Sequence, residues 1–217
     1  MSIGIVLATT DTILLVADGR QSTAYEKISD TVEKISVLRS DLALISFGVN
    51  FGTQRVLQWM KHEELPLNAD EFSKYLSDRV HASGTLVLQA LRVEDRTSDR
   101  MKVGFVGGGA DATGPYITGS LFGANMESVA TVTSRCVNST FVYIVLGGEN
   151  AGAETYFQQL SHRLLTDETP PQAVIPTLLH VAIQTIRFAA SADQSIGGQI
   201  QYTILERGKL PQTGFLV

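Results

Sequence analysis

SIGIVLATTDTILLVADGRQSTAYEKISDTVEK, residues Ser2–Lys34, is the stretch from which the fold can be read. Ile3–Ala8 and Thr12–Ala17 are two apolar, β-branched runs separated by Thr9-Thr10-Asp11, the pattern of a hairpin. Neither run alternates with polar residues, so both of its faces should be buried. Val32–Leu38 and Leu42–Phe47 repeat the pattern around Arg39-Ser40-Asp41. A sheet that opens with two hairpins is antiparallel.

From Asn50 the period changes to that of a helix, with Phe51, Val56, Leu57 and Met60, ending near Pro66. Asn68 with Glu71 three residues later resembles a capping box and starts a second helix that runs to about Leu91. Val103–Val106, Pro115–Thr118 and Val137–Leu146 return to strand character. Gly147-Gly148 then stops the strand before a helix over Ala153–Leu165. A further helix starts near Thr169 with Pro170 and Pro171 in its first turn, where missing N–H groups matter little, and Pro176 should bend it. Asp193–Gly198 reads as a turn, Gln199–Glu206 as an alternating strand, and a last strand lies near Phe215. Strands, two helices, strands, two helices, strands implies an α+β domain over 1–217, with two stacked antiparallel sheets and helices on both outer faces.

The 217 residues carry a net charge of -5, which disfavours nucleic acid as a partner because phosphates demand a basic face. One cysteine, Cys136, excludes an internal disulfide framework and suits a cytoplasmic setting. No basic residue precedes the first apolar run and Asp11 interrupts it, so no signal peptide is read, and no run reaches membrane-spanning length. His62, His81, His162 and His180 share no metal-ligand spacing. No metal or cofactor is expected. Gly107-Gly-Gly109 lacks the Gly-Lys-Ser/Thr ending of a phosphate loop.

The chemistry concentrates at the start of the chain. If Met1 is removed, Ser2 carries a hydroxyl and a free α-amine, and an α-amine titrating at about 7.7 to 8.0 can serve as the general base near neutral pH. Such a site needs a fixed cation to lower the proton affinity of the hydroxyl. Lys34, set among Val32, Ile35 and Val37, is the candidate, with Asp18 and Arg20 as charged neighbours. If Met1 is retained, the same nitrogen is an amide and no base.

These residues resemble the start of a mature proteasome β-type subunit, of the N-terminal nucleophile hydrolase superfamily. The resemblance sets Ser2 on the nucleophile, Asp18 and Arg20 on an Asp-x-Arg, Lys34 in Glu-Lys-Ile on the essential lysine, and Gly48 in Ile-Ser-Phe-Gly on the oxyanion glycine. It continues through Gly109–Ile117 and Asp193–Ile200, and so over nearly the whole chain. It implies a four-layer αββα sandwich, catalytic roles for Ser2, Asp18, Lys34, Gly48 and Asp193, and substrate contacts at Arg20, Ser22, Ser46 and Asn50. Arg20 would also help hold Asp18.

The departures are specific. Serine stands where the family has threonine, losing the methyl that restricts the rotamer. Gly148 and Ile196 stand where the family has two serines that support the amine. Ser195 comes one position early, and a one-residue shift on extended chain turns a side chain the other way. The function expected from the resemblance is a peptidase subunit of low activity in a homo-oligomeric ring of six or seven subunits. It would cleave peptide or unfolded protein, served by an ATP-dependent unfoldase. The alternative is a ring-forming structural subunit with a vestigial site.

Overall fold

The computed structural model describes residues 2–22, 27–90, 102–123, 130–137, 139–147 and 152–216. The first hairpin forms as its residues dictate. β1 (Gly4–Ala8) and β2 (Thr12–Asp18) pair antiparallel and are buried at every position. Their turn closes with Thr9 N–H donating to the Thr12 carbonyl at 2.9 Å, while the Asp11 carboxylate accepts both threonine hydroxyls at 3.0 Å. β5 (Ile35–Arg39) and β6 (Leu42–Gly48) make the second hairpin. Between the hairpins lie two short strands not foreseen from sequence, β3 (Gln21–Ser22) and β4 (Lys27–Ser29).

The two helices foreseen after β6 are α1 (Asn50–His62) and α2 (Ala69–Ala90). Asn68 Oδ1 accepts the N–H groups of Asp70 at 2.9 Å and Glu71 at 3.3 Å, capping α2 as its sequence indicated. Then come β7 (Lys102–Asp111), β8 (Gly114–Gly123), β9 (Ala130–Arg135) and β10 (Val142–Leu146). The 107–109 glycine run is strand interior, each residue paired across to β8. β7 and β8 outrun the short apolar cores that signalled them, and β9, rich in threonine, carried no apolar signal. α3 (Ala153–Leu164) and α4 (Pro171–Ala192) follow, α4 running through Pro176, and β11 (Ile200–Glu206) and β12 (Gln212–Leu216) end the chain.

The domain is therefore α+β, with two five-stranded antiparallel sheets, ordered β10-β1-β2-β11-β12 and β5-β6-β7-β8-β9. Four helices and the β3–β4 ribbon complete the described residues. Three apolar clusters join them. Leu14 and Val16 pack with Phe157, Leu178 and Ile186 of α3 and α4. Ile13, Leu15 and Ala17, on the opposite face of β2, pack with Ala43, Ile45 and Val106 of the other sheet. Leu42, Leu44 and Phe105 face α1 and α2 through Val56, Phe72 and Leu76. A strand with an apolar layer on each face has no place for alternation, which explains the continuous runs. α4 has the length and apolar composition that could cross a membrane, contrary to the sequence reading; Leu178, Val181, Ala182, Ile186 and Ala189 of it are buried in the first cluster.

Candidate active site

Antiparallel connections bring the start of β1, the end of β2, the start of β5 and the end of β6 to one end of the sheet pair. Ser2 immediately precedes β1, Asp18 closes β2, Lys34 immediately precedes β5 and Gly48 closes β6. The two hairpins thus bring Ser2, Asp18 and Lys34 together.

Lys34 Nζ is the hub. It donates to Ser2 Oγ at 2.9 Å and to Asp18 Oδ1 at 2.7 Å. Asp18 is fully buried and Lys34 is 6% exposed, so the pair is sheltered from solvent. Two further donors converge on the carboxylate: Ile3 N–H on Oδ1 at 2.9 Å and Gly197 N–H on Oδ2 at 3.2 Å. Burial drives both groups towards neutrality, raising the Asp18 pKa and lowering that of Lys34, against their mutual attraction. The Arg20 charge pushes Lys34 down further. A lysine so placed can surrender its proton far more readily than one in water, while its ammonium form stabilises an alkoxide at Ser2.

Two glycines shape the rim by close approach. Gly147 (φ +85°) lies against the Ser2 backbone, where a Cβ would sit 1.8 Å from the Ser2 carbonyl oxygen. Gly48 (φ +96°) would bring a Cβ within 2.0 Å of the Lys102 carbonyl oxygen. Ser46 N–H donates to the Lys34 carbonyl at 3.0 Å, and its hydroxyl approaches the same oxygen at 3.4 Å. Two residues further on, strand alternation puts the Gly48 N–H on the same side of β6 as that of Ser46.

The other foreseen residues fall outside this triangle. Arg20 does not bind Asp18; its Nε pairs with Asp30 at 2.7 Å and its Nη1 donates to the carbonyls of Gln194 at 2.8 Å and Ile196 at 3.1 Å. It fastens the turn after α4, and that turn delivers the Gly197 N–H to Asp18. Asp193 Oδ1 accepts the Ser195 N–H at 2.8 Å and hydroxyl at 2.6 Å. Partial burial opposes ionisation there, yet the two Ser195 donors hold the carboxyl below its usual pKa. Ile196 is buried against α3 and α4. The serine is thus committed to Asp193 and the isoleucine to the core. Asn50 is the exposed first residue of α1, its carbonyl accepting the Thr53 hydroxyl at 3.0 Å, and Ser22 ends β3. Gly148 lies outside the described residues.

Sequence reasoning missed Gly197, Asp30, Gly147 as a neighbour of Ser2, and Gln201. The first two act through backbone geometry or through a partner far along the chain. Gln201 carried one usable signal, a polar side chain on a strand whose neighbours Ile200 and Thr203 turn out buried. No family model matches this chain and no curated protein matches it, so the arrangement of Ser2, Lys34 and Asp18 is what its function has to be read from.

Proposed function

We propose that this chain is a proteasome-type N-terminal nucleophile hydrolase, built as a four-layer αββα sandwich and cleaving peptide amides with Ser2. The observation that carries the reading is Lys34 Nζ held between Ser2 Oγ at 2.9 Å and Asp18 Oδ1 at 2.7 Å in a buried setting. Ser2 Oγ attacks the scissile carbonyl carbon and its proton passes to a neutral amine. Once Met1 is removed that amine is the Ser2 α-amine, and the Lys34 ammonium, donating to the same hydroxyl, stabilises the alkoxide that forms. The Gly48 N–H meets the charge that develops on the carbonyl oxygen. The C–N bond breaks as the proton is handed to the leaving amine, and water then hydrolyses the Ser2 ester by the same steps. Asp18 stays in place to balance the lysine charge.

In this reading the chain assembles into cytoplasmic rings of six or seven copies that enclose the Ser2 sites, and an ATP-dependent unfoldase supplies unfolded protein. Turnover is low, because Ser195 is spent on Asp193 and Ile196 on the core, leaving the α-amine less well held. A loosely held catalytic group loses about a hundredfold in rate. The same observation favours a second reading, a structural ring subunit whose site no longer turns over.

Intact mass spectrometry of the native protein, before and after incubation with a β-lactone or epoxyketone, separates the two. Loss of Met1 and gain of one adduct, absent in Ser2→Ala, is the outcome expected of the enzyme. Retained Met1 without an adduct would leave the structural subunit. Mass photometry at micromolar concentration should show rings, and monomers alone would refute the assembly.

A further inference from the structure

Gln201 stands on β11, in the sheet opposite the one that carries Lys34, and is 2% exposed. Its carboxamide spans the gap. Oε1 accepts the Lys34 N–H at 2.8 Å and the Ile35 N–H at 3.4 Å, and Nε2 donates to the Val32 carbonyl. β5 is the outer strand of its sheet, so the backbone on the approach to Ile35 lacks a neighbouring strand on one side. One side chain from the facing sheet supplies both the acceptor and the donor that a strand would have supplied. The backbone it grips is that of the residue presenting its ammonium to Ser2 and Asp18.

We propose that Gln201 is a positioning residue for the site, its carboxamide setting the backbone from which Lys34 reaches Ser2. The proposal rests on the reading of Lys34 as the site's cation. It also explains how two sheets joined mainly by apolar contacts keep a hydrogen bond between them in register, since Ser2 and Asp18 belong to one sheet and Lys34 to the other. Gln201 pairs with Ala17, beside Asp18, on β2. The carboxamide thus ties both halves of the Lys34–Asp18 pair to one strand.

The charged groups acting on Lys34 are Asp18 and Arg20, and neither is altered in the variants that test this. The protein contains six lysines, so labelling their ε-carbons with 13C and assigning Lys34 through Lys34→Arg gives its titration directly. Gln201→Met keeps the side-chain length but loses both polar atoms, and Gln201→Glu keeps an acceptor. Gln201→Met should displace the Lys34 midpoint by about half a pH unit or more and slow β-lactone labelling of Ser2 about tenfold or more, in line with a mispositioned catalytic group. Gln201→Glu should retain more of the labelling rate and move the midpoint upward. Ser83→Ala, which removes a buried hydrogen bond to Gly52 between α1 and α2, serves as a destabilised control and should leave the midpoint unchanged. A Gln201→Met protein that melts lower while its Lys34 midpoint stays at the wild-type value would overturn the proposal. If Gln201→Met does not fold, an unmoved midpoint in Gln201→Glu overturns it equally. Should wild-type Ser2 take no label, the hydrolase reading falls, and the lysine titration still decides the positioning role.

Discussion

Two carboxylate–cation pairs sit at opposite ends of the sheets, Asp18–Lys34 where β2 ends and Asp111–Arg135 where β7 turns into β8. Each aspartate also takes backbone N–H groups, Asp18 from Ile3 and Gly197, Asp111 from Ala69 at 3.1 Å and Thr113 at 2.9 Å. Their electrostatics are opposite. Burial dominates at Asp18 and pushes its pKa up, with Lys34 pushed down. At Asp111 burial also opposes the charge, but the Arg135 guanidinium, the Thr113 hydroxyl and the two N–H groups hold the carboxyl well below the usual range. Burial presses the first pair towards its neutral forms, and the second is a charged clasp. Full desolvation of both partners makes the difference, because Arg135 keeps 29% of its side chain in water and Lys34 only 7%.

The sharpest way to break this contrast is kinetic. Lys34→Met should slow covalent labelling of Ser2 by on the order of a hundred- to a thousandfold, followed by intact mass over time, while Asp111→Asn should leave the labelling rate unchanged. Equal slowing in both variants would erase the distinction. The rate in the wild type should rise with pH through the midpoint of the Ser2 α-amine, about 7.7 to 8.0 for a free α-amine, because the neutral amine is the acceptor.

Stability should rank the pairs in the same order. Asp18→Ala leaves the buried Lys34 without its counter-charge and the Ile3 and Gly197 N–H groups without an acceptor, and should cost about 3 to 5 kcal/mol in urea unfolding. Asp111→Ala, which strands the Ala69 N–H and the partly exposed Arg135, should cost about 1 to 3 kcal/mol. That second loss should also depend on pH. A carboxyl whose folded pKa is depressed stabilises the protein above its unfolded value of about 3.9, and this contribution disappears as pH falls towards the depressed folded value. Wild type and Asp111→Ala should therefore converge in stability below about pH 4. For Lys34 the slope has the same sign, since the folded state holds fewer protons than the unfolded one between its lowered value and that of a free lysine, but here burial of the charge is a cost that is relieved as pH rises. The smallest effect belongs to the Arg39–Asp41 pair at the same end as Asp111, where Asp41 is 40% exposed. Asp41→Asn should change stability by less than about 1 kcal/mol.

Much of the frame was legible because it depends on local pattern. Two apolar runs around Thr9-Thr10-Asp11 can hardly be anything but a doubly buried hairpin, and Asn68 announces α2 through its own side chain. Short-range chemistry fails where the partner is remote. β9 has few apolar residues and is a strand because β8 offers it a ladder. Arg20 looked like the companion of Asp18 two residues away, but β2 ends at Asp18, and the guanidinium beyond it goes to Asp30 and to carbonyls more than 170 positions along the chain.

The sequence by itself determined the two hairpins, the helix pairs that follow them and the candidates Ser2, Asp18 and Lys34, since these follow from hydrophobic period, turn residues and chemically distinct side chains, while Gly48 came from the family resemblance. Tertiary structure alone decided that Lys34 lies 2.9 Å from Ser2, that Asp18 loses all contact with solvent, and that Gly147, Gly197 and Gln201 close around them. A pKa and a hydrogen-bond length depend on what every neighbouring element excludes or supplies. Those neighbours come from both sheets and from opposite ends of the chain.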